Sequence, residues 1–471
     1  MTEINLLNID RGSVTAPAGC GKTELITKAV NAYSGLKPIL ILTHTNAGVA
    51  ALRARLSHAG IAGNHYRLAT IDGWSLKLIK MFPAISGHDK TMTDVLNPRR
   101  DYPAIRKFAC DLLQNRHLST LLQSSYERVI VDEYQDCNTI QHQIVCALAM
   151  ELRICVVGDP MQAIFNFAGN SLVDWNEDVR KFFPASGHLT TPWRWRNAGA
   201  EDLGQWLLHA RTELSEGRPI DLRKAPSSSV VWLPLGKGND EEVKRQAART
   251  PLPKLGARVL VIGDAINVSG HHACAKQTPG AVVIEAVALS QLIQFANNFN
   301  LESEDAISAL ALFAQSVITG VSTAELLKRL TTINNGRAIK PPSPAEHAAL
   351  EFQLAPSYLA AAKYLEACYS MSDTRVFRPA LLFSAIEALR SAHQKDLSLL
   401  DAAIRVRENF RANGRRIPSR GVGSTLLLKG LEAEVAVILN GDDLTNENLY
   451  VAITRGSMRL VVCSNSPLLG G

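Results

Sequence analysis

Several things are missing from this sequence, and each absence narrows its reading. The eight cysteines (Cys20, Cys110, Cys137, Cys146, Cys155, Cys274, Cys368 and Cys463) form no CxxC pair. That excludes a zinc-ribbon or dithiol redox framework and reads as reduced, mostly buried thiols. No apolar run approaches the roughly 18 residues of a membrane span. The opening segment MTEINLLNIDRG has no apolar core of a signal peptide, so a cytoplasmic chain without a membrane partner is expected. There is no repeat of fixed period, no low-complexity tract, and no nuclease-like cluster of acidic residues with a lysine. Charge of one sign is also scarce: 50 Lys and Arg stand against 44 Asp and Glu, for a net charge of +6. That balance permits a polyanionic partner without demanding one.

What is present is a globular composition. With 471 residues, 46% of them hydrophobic, the chain exceeds one ordinary domain and can bury several cores. The first 190 residues alternate short β-branched runs (39–43, 128–132, 153–159) with helical stretches such as 46–59 and 139–151. This is the pattern of a parallel sheet with helices on its faces. Further strand candidates lie at 230–235, 258–263, 433–439 and 459–464, and a helix-rich block runs from about 270 to 415. The expected fold class is α/β: two P-loop domains with parallel sheets flanked by helices, each with a mostly helical insertion. The boundaries read as 1–72 with 126–190 for the first domain and 73–125 for its insertion. The second domain is 191–270 with 415–471, and its insertion is 271–414.

The sharpest chemistry lies near the start. Ala16-Pro17-Ala18-Gly19-Cys20-Gly21-Lys22-Thr23 follows a short strand candidate and opens a helix, as a phosphate-binding loop must. Gly19 and Gly21 let backbone N–H groups close around phosphate oxygens, Lys22 reaches the β/γ-phosphates of ATP, and the Thr23 hydroxyl suits Mg²⁺. The apolar run 129–131 ends in Asp132-Glu133-Tyr134-Gln135-Asp136. There Asp132 can hold the same Mg²⁺ and Glu133 can activate the attacking water. A third run ends in Gly158-Asp159-Pro160-Met161-Gln162, where Gln162 can sense the γ-phosphate. Arg194, in Pro192-Trp193-Arg194, and Arg455, in Tyr450-Val451-Ala452-Ile453-Thr454-Arg455, can bring positive charge to that phosphate. His271-His272-x-Cys274 lacks a second ligand pair and reads as a surface segment.

Taken in order, APAGCGKT, LTHTNAGVAALRARL, ATIDGWSLKLI, VIVDEYQD, VVGDPMQAIFNFAG, TTPWRWRN, STLLLKGLEAEVAVIL and YVAITRG resemble the UvrD/Rep group of superfamily 1 helicases. The matched segments cover a little under a fifth of the chain and span nearly all of it. The resemblance implies two RecA-like domains with ATP between them. Lys22, Glu133, Gln162, Arg194 and Arg455 would then be catalytic, with the two arginines as fingers. Ala16, Gly19, Cys20, Gly21, Lys22, Thr23, Glu24, Trp193 and Glu432 would line the nucleotide, with Trp193 stacked on the base, and Thr23 and Asp132 would hold the metal. On the nucleic-acid side the resemblance puts His44, Thr45, Asn46, Thr70, Trp74, Phe165, Phe167 and Leu426, the two phenylalanines as a stacking platform for bases.

The departures from the family pattern concern recognition and coupling. No Gln precedes Gln114, so the upstream adenine reader is missing. Glu24 stands where the family has Arg, His44 where it has an aromatic ring, Leu426 where it has His, Pro192 where it has Asn, and Ala168 where it has Arg. The expected function is an ATP-dependent translocase or helicase on single-stranded DNA and single/double-strand junctions, with 3′-to-5′ polarity implied by the resemblance alone. The rival is a DNA-activated regulatory ATPase that accompanies a nuclease or another defence or repair protein and unwinds little. A P-loop kinase unrelated to DNA would leave Thr45, Asn46 and the phenylalanine pair without a role.

Overall fold

The computed structural model describes residues 4–95, 98–165, 171–264, 267–413 and 418–471. The chain divides into two compact units, Met1–Trp232 with Gly441–Leu460 and Ser466–Gly471, and Leu233–Asn440 with Val461–Asn465. Residues 191–232 and 441–460, expected from the sequence in the second α/β domain, pack within the first unit.

The first unit is built on a six-stranded sheet of β1 (Arg11–Thr15), β2 (Ile39–Thr43), β3 (Tyr66–Thr70), β4 (Arg128–Val131), β5 (Arg153–Gly158) and β6 (Ala185–His188). The spatial order is β3-β2-β4-β5-β1-β6, and every pairing is parallel. Strand β2, Ile-Leu-Ile-Leu-Thr, shows why the apolar runs are continuous. Successive side chains point to opposite faces. Ile39 and Ile41 enter a core with Ile26, Val30, Leu52 and Leu56. Leu40 and Leu42 enter another with Ile71, Leu78, Ile105 and Leu148. Helices therefore cover both faces: Lys22–Ala32 and Asn46–His58 on one, Ile71–Met81, Pro98–Gln114 and Thr139–Ala149 on the other. In such a sheet the loops leaving the carboxyl ends of the strands form the binding edge.

The second unit carries most of another six-stranded sheet, in the order Ala281–Val283, Arg420–Ser424, Val259–Gly263, Ala433–Ile438, Gly456–Ser464, Val230–Pro234. Its remainder is mostly helical, as the sequence leads one to expect, with one two-stranded sheet of Ile318–Thr319 and Arg375–Val376. Among the described residues seven helices, from Ser290–Asn298 to Leu399–Asn413, bury one core around Leu310, Phe352, Leu365 and Leu389. No helix among the described residues is long and apolar enough to cross a membrane.

Candidate active site

The loop after β1 and the loops after β4 and β5 leave the sheet side by side, because Thr15 pairs in register with Gly158 and Val131 with Val156. Gly19 and Gly21 have φ of 69° and 90°, the left-handed region that a side chain resists. A Cβ on Gly19 would also strike the Trp195 ring at 2.5 Å, and one on Gly21 would approach Trp193 to 3.1 Å. Glycine is thus required by the backbone turn and by the two indoles packed on it.

Lys22 opens the helix Lys22–Ala32, and its ammonium lies 2.5 Å from Glu133 Oε1 and 3.2 Å from Asp132 Oδ1. Burial works to lower its pKa, but the two carboxylates outweigh that and raise it, so the lysine is fully charged. Burial raises the pKa of Asp132, against the pull of Lys22. Lys22 is thus held between the two carboxylates, one of them the buried Asp132. Half-buried Thr23 adds a hydroxyl on the same turn. A hydroxyl and a carboxylate are the hard oxygen donors Mg²⁺ takes, so the residues fit the ion.

Glu133 has φ 54°, a left-handed conformation uncommon for a residue with a side chain and often found where function holds it. Its Oε2 accepts from Gln135 Nε2 at 2.6 Å. Gln135 Oε1 in turn accepts from the Asp159 backbone N–H at 3.0 Å. Asp159, fully buried, takes Gln162 Nε2 on Oδ2 at 3.1 Å and Arg211 Nε and Nη2 on Oδ1 at 3.0 and 2.6 Å. Gln162 is therefore at the site with its amide directed to Asp159.

The two arginines singled out from the sequence meet at the end of the helix Asn446–Ile453. Arg194 donates from Nη1 to the Thr454 carbonyl at 2.7 Å, and its backbone N–H donates to the Gly19 carbonyl at 3.1 Å. Arg455, buried, donates from Nε to the Val451 carbonyl at 2.8 Å and from Nη2 to Thr454 Oγ1 at 2.9 Å. Trp193 is half exposed, with the Arg196 guanidinium 5.2 Å over its ring. Cys20 is buried and its thiol is pushed up to about 12 by burial and by Asp159. Glu24 pairs with Arg55 at 3.2 Å on the surface. Glu432 is exposed in the second unit, just before the strand Ala433–Ile438.

On the strand side, Thr43 pairs in register with Thr70, so the loops after β2 and β3 emerge together. Thr45 caps the helix Asn46–His58 through the Gly48 N–H at 3.0 Å. Thr70 caps Ile71–Met81 through the Gly73 N–H at 2.9 Å. Asn46 is exposed. His44 and Phe165 are half-buried, their ring centroids 5.6 Å apart. Phe167 and Ala168 lie outside the described residues. Trp74 is only 6% exposed, packed in the core on the Ile71–Met81 side with its indole N–H toward the Tyr126 hydroxyl. Its ring is a packing element, not a surface open to bases. Leu426 is exposed in the second unit.

Four further residues join the site without a signal of their own in the sequence. Gln135 lies inside the acidic motif, where its neighbours carry the recognisable chemistry. Arg211 sits on the helix Glu201–Ser215 outside any motif. Tyr450, fully buried, accepts the Ala18 N–H of the phosphate loop on its hydroxyl at 3.1 Å. Trp195 donates its indole N–H to the Gly456 carbonyl at 2.9 Å. The histidine segment is not a surface loop: His271 is buried on the helix Val268–Gln277, where Nε2 meets the Asp264 carbonyl at 2.7 Å.

Residues 89–176, which include Asp132 and Glu133, match the UvrD/REP helicase N-terminal domain. An ATP-dependent helicase/nuclease subunit of Alkaliphilus metalliredigens (strain QYMF) is 22% identical over 187 residues, 36% of this chain and 16% of that protein. Gabija protein GajB of Bacillus cereus (strain VD045) is 26% identical over 227 residues, 38% of this chain and 43% of that protein. The matches thus span well under two thirds of either relative. Among solved structures, an arterivirus nonstructural protein 10 (helicase) in complex with DNA aligns over 96% of this chain and 60% of that one, at 10% identity and a TM-score of 0.36, too loose an agreement to support an argument.

Proposed function

From its kinship with the UvrD-like superfamily 1 helicases, we propose that this chain is an ATP-hydrolysing motor that moves on single-stranded DNA with 3′-to-5′ polarity. The observation that carries this reading is the meeting of Lys22, Asp132 and Glu133 within 2.5–3.2 Å at the carboxyl ends of β1 and β4. In hydrolysis Lys22 leaves the carboxylates for the β/γ-phosphates, which frees Glu133 Oε1 to accept a proton from the attacking water. Thr23 and Asp132 would hold Mg²⁺, which would supply charge neutralisation at the phosphates. Arg194, whose backbone N–H is bonded to the Gly19 carbonyl, and Gln162, bonded to Asp159, would register loss of the γ-phosphate. The strand itself would lie across Thr45, Asn46 and the His44–Phe165 pair.

The test is the ATPase rate with no nucleic acid, single-stranded DNA, duplex DNA and RNA, together with strand displacement on 3′- and 5′-tailed duplexes. Stimulation by single-stranded DNA and displacement from a 3′ tail are expected. A rate indifferent to every nucleic acid would overturn the motor reading.

A second reading has its own support. The relative from Alkaliphilus is by name one component of a helicase/nuclease, and Gln, Arg and His positions that serve recognition and coupling in the UvrD/Rep pattern are replaced here. In this reading the chain is a DNA-activated ATPase that partners a nuclease. It predicts stimulated hydrolysis with no displacement from either tail until that partner is added.

A further inference from the structure

We infer that Arg211 is a positioning residue for ATP hydrolysis: it fixes Asp159, through Asp159 it orients Gln135, and through Gln135 it holds the carboxylate of Glu133. This rests on the ATPase reading above and adds a residue to it.

The chain of contacts is continuous and directional. Arg211 closes both Nε and Nη2 on Asp159 Oδ1, and Gln162 occupies Oδ2. Asp159 is fully buried and the Arg211 side chain only 13% exposed, so neither charge has water as a substitute partner. Asp159 Oδ1 also accepts the Met161 N–H at 3.3 Å, so the side chain pins its own backbone turn. That turn presents the Asp159 N–H to Gln135 Oε1. An amide whose oxygen is held by an N–H has one orientation left for its nitrogen, and here that nitrogen donates to Glu133 Oε2 at 2.6 Å. The pocket has no slack at this point: a Cβ on Gly158 would lie 2.6 Å from Gln135 Oε1.

The arrangement matters because Glu133 is held from two sides. Lys22 takes Oε1 and Gln135 takes Oε2. Once Lys22 turns to phosphate, Gln135 still holds Oε2, and its aim bears on where Oε1 points. A base misplaced by a fraction of an ångström loses rate without losing substrate. Arg211 lies on the helix Glu201–Ser215, soon after Trp193 and Arg194. The same helix that follows the base-stacking and arginine segment thus reaches back to the water-activating carboxylate.

The test uses Arg211→Lys, Gln135→Met and the double variant of the full chain. It measures kcat and KM for ATP, the affinity of a fluorescent ATP analogue, and the melting temperature. Lys keeps the charge but not the planar fork, and Met fills the Gln135 volume without donating. Each single variant is expected to lose about tenfold in kcat with KM and analogue affinity within about twofold, and the double to lose little more than the worse single, as members of one relay do. A wild-type kcat in Arg211→Lys with only a lower melting temperature would overturn the inference, as would a loss confined to KM or a double variant whose losses multiply. Should Arg211→Lys not fold, Asp159→Asn with Arg211→Gln removes both buried charges together. That pair is expected to fold with kcat again about tenfold low, and a wild-type kcat there refutes the relay. Lys22→Ala run alongside separates the two claims: persistent hydrolysis in it defeats the ATPase reading itself, whereas a dead Lys22→Ala beside an unaffected Arg211→Lys defeats the positioning role alone.

Discussion

At the carboxyl ends of β1, β4 and β5, buried and half-buried charged and amide groups are bonded to one another: Lys22 to Asp132 and Glu133, Glu133 to Gln135, Asp159 to Gln162 and Arg211. At the ends of β2 and β3, along the same sheet edge, the hydroxyls of Thr45 and Thr70 cap helices, and two half-buried rings, His44 and Phe165, lean on each other at 44°. The difference is the one that the two proposed roles require. Proton abstraction and phosphate release need atoms held to a fraction of an ångström, which takes a buried network. Stacking on bases tolerates slack, because every base has a π-face. If that is the right contrast, damage at the first place should abolish turnover, and damage at the second should weaken only its response to DNA.

The largest effect is expected from Lys22→Ala or Glu133→Gln, with ATP turnover falling by at least about 10³-fold, since nothing nearby replaces the ammonium or the carboxylate. Glu133→Gln should still bind nucleotide, because Lys22 and Asp132 remain. Steady-state hydrolysis and nucleotide binding measured on the same preparations check both halves. Turnover close to normal in either variant would remove the site assignment and the contrast with it.

Next in size is Phe165→Ala. Losing one stacking face should weaken single-stranded DNA binding by about 1–3 kcal/mol and reduce DNA-stimulated hydrolysis while basal hydrolysis stays. Fluorescence anisotropy with a labelled oligonucleotide, set against a thermal melt, is the measurement. Basal and stimulated rates that fall together with the melting temperature would make Phe165 a core residue and erase the distinction between the two places.

The same contrast explains what can be read in the sequence. The phosphate loop and Asp132-Glu133 are local: the turn demands Gly19 and Gly21, and the chemistry sits on adjacent residues. The buried strands β2, β4 and β5 announce themselves as apolar runs. Strands β3 and β6, Tyr-Arg-Leu-Ala-Thr and Ala-Ser-Gly-His, lie at the two edges of the sheet. They carry no such run, so nothing in their composition marks them as strands. Arg211 pairs with Asp159 across 52 residues and Tyr450 with Ala18 across 432. Only the fold brings such partners together, and no spacing in the sequence foreshadows it. Trp74 is the opposite case. Its motif points to nucleic acid, but the helix Ile71–Met81 turns it inward, because Ile71, Leu78 and Trp74 share the face that covers the sheet.

Thr45→Ala sharpens the contrast with a smaller effect. Removing an N-cap hydroxyl costs about 1 kcal/mol of helix stability, visible as a modest drop in melting temperature. If the Thr45 segment also meets the DNA backbone, the apparent affinity for single-stranded DNA should fall along with it. Ser322→Ala, an equivalent cap on the helix Thr323–Asn334 and no part of the DNA side, is the control for stability alone. Equal melting losses with unequal DNA losses would assign Thr45 to the strand, and equal losses in both readouts would leave Thr45 as a cap.

The smallest expected effect lies within the nucleotide site, between its phosphate side and its base side. The phosphate-side groups Lys22, Thr23, Asp132, Gln162 and Arg194 gather around one loop. On the base side Trp193 lies against Gly21 and offers a face that stacks on any purine without reading its edge. Glu24, where the UvrD/Rep pattern has an arginine plane, is turned to Arg55 on the surface. The one upstream amide close to a helix start, Asn5, spends its oxygen on the Leu7 N–H at 2.9 Å. A site without donors and acceptors matched to a base edge cannot penalise the wrong base through unpaired groups. GTP should therefore support hydrolysis to within about tenfold of ATP, a gap of roughly 1.4 kcal/mol. Rates with ATP, GTP and CTP at saturating single-stranded DNA give the answer. A preference for ATP over GTP of about a hundredfold, roughly 2.7 kcal/mol, would mean that an adenine reader exists on the base side, with Asn5 and Asn8 the first residues to replace.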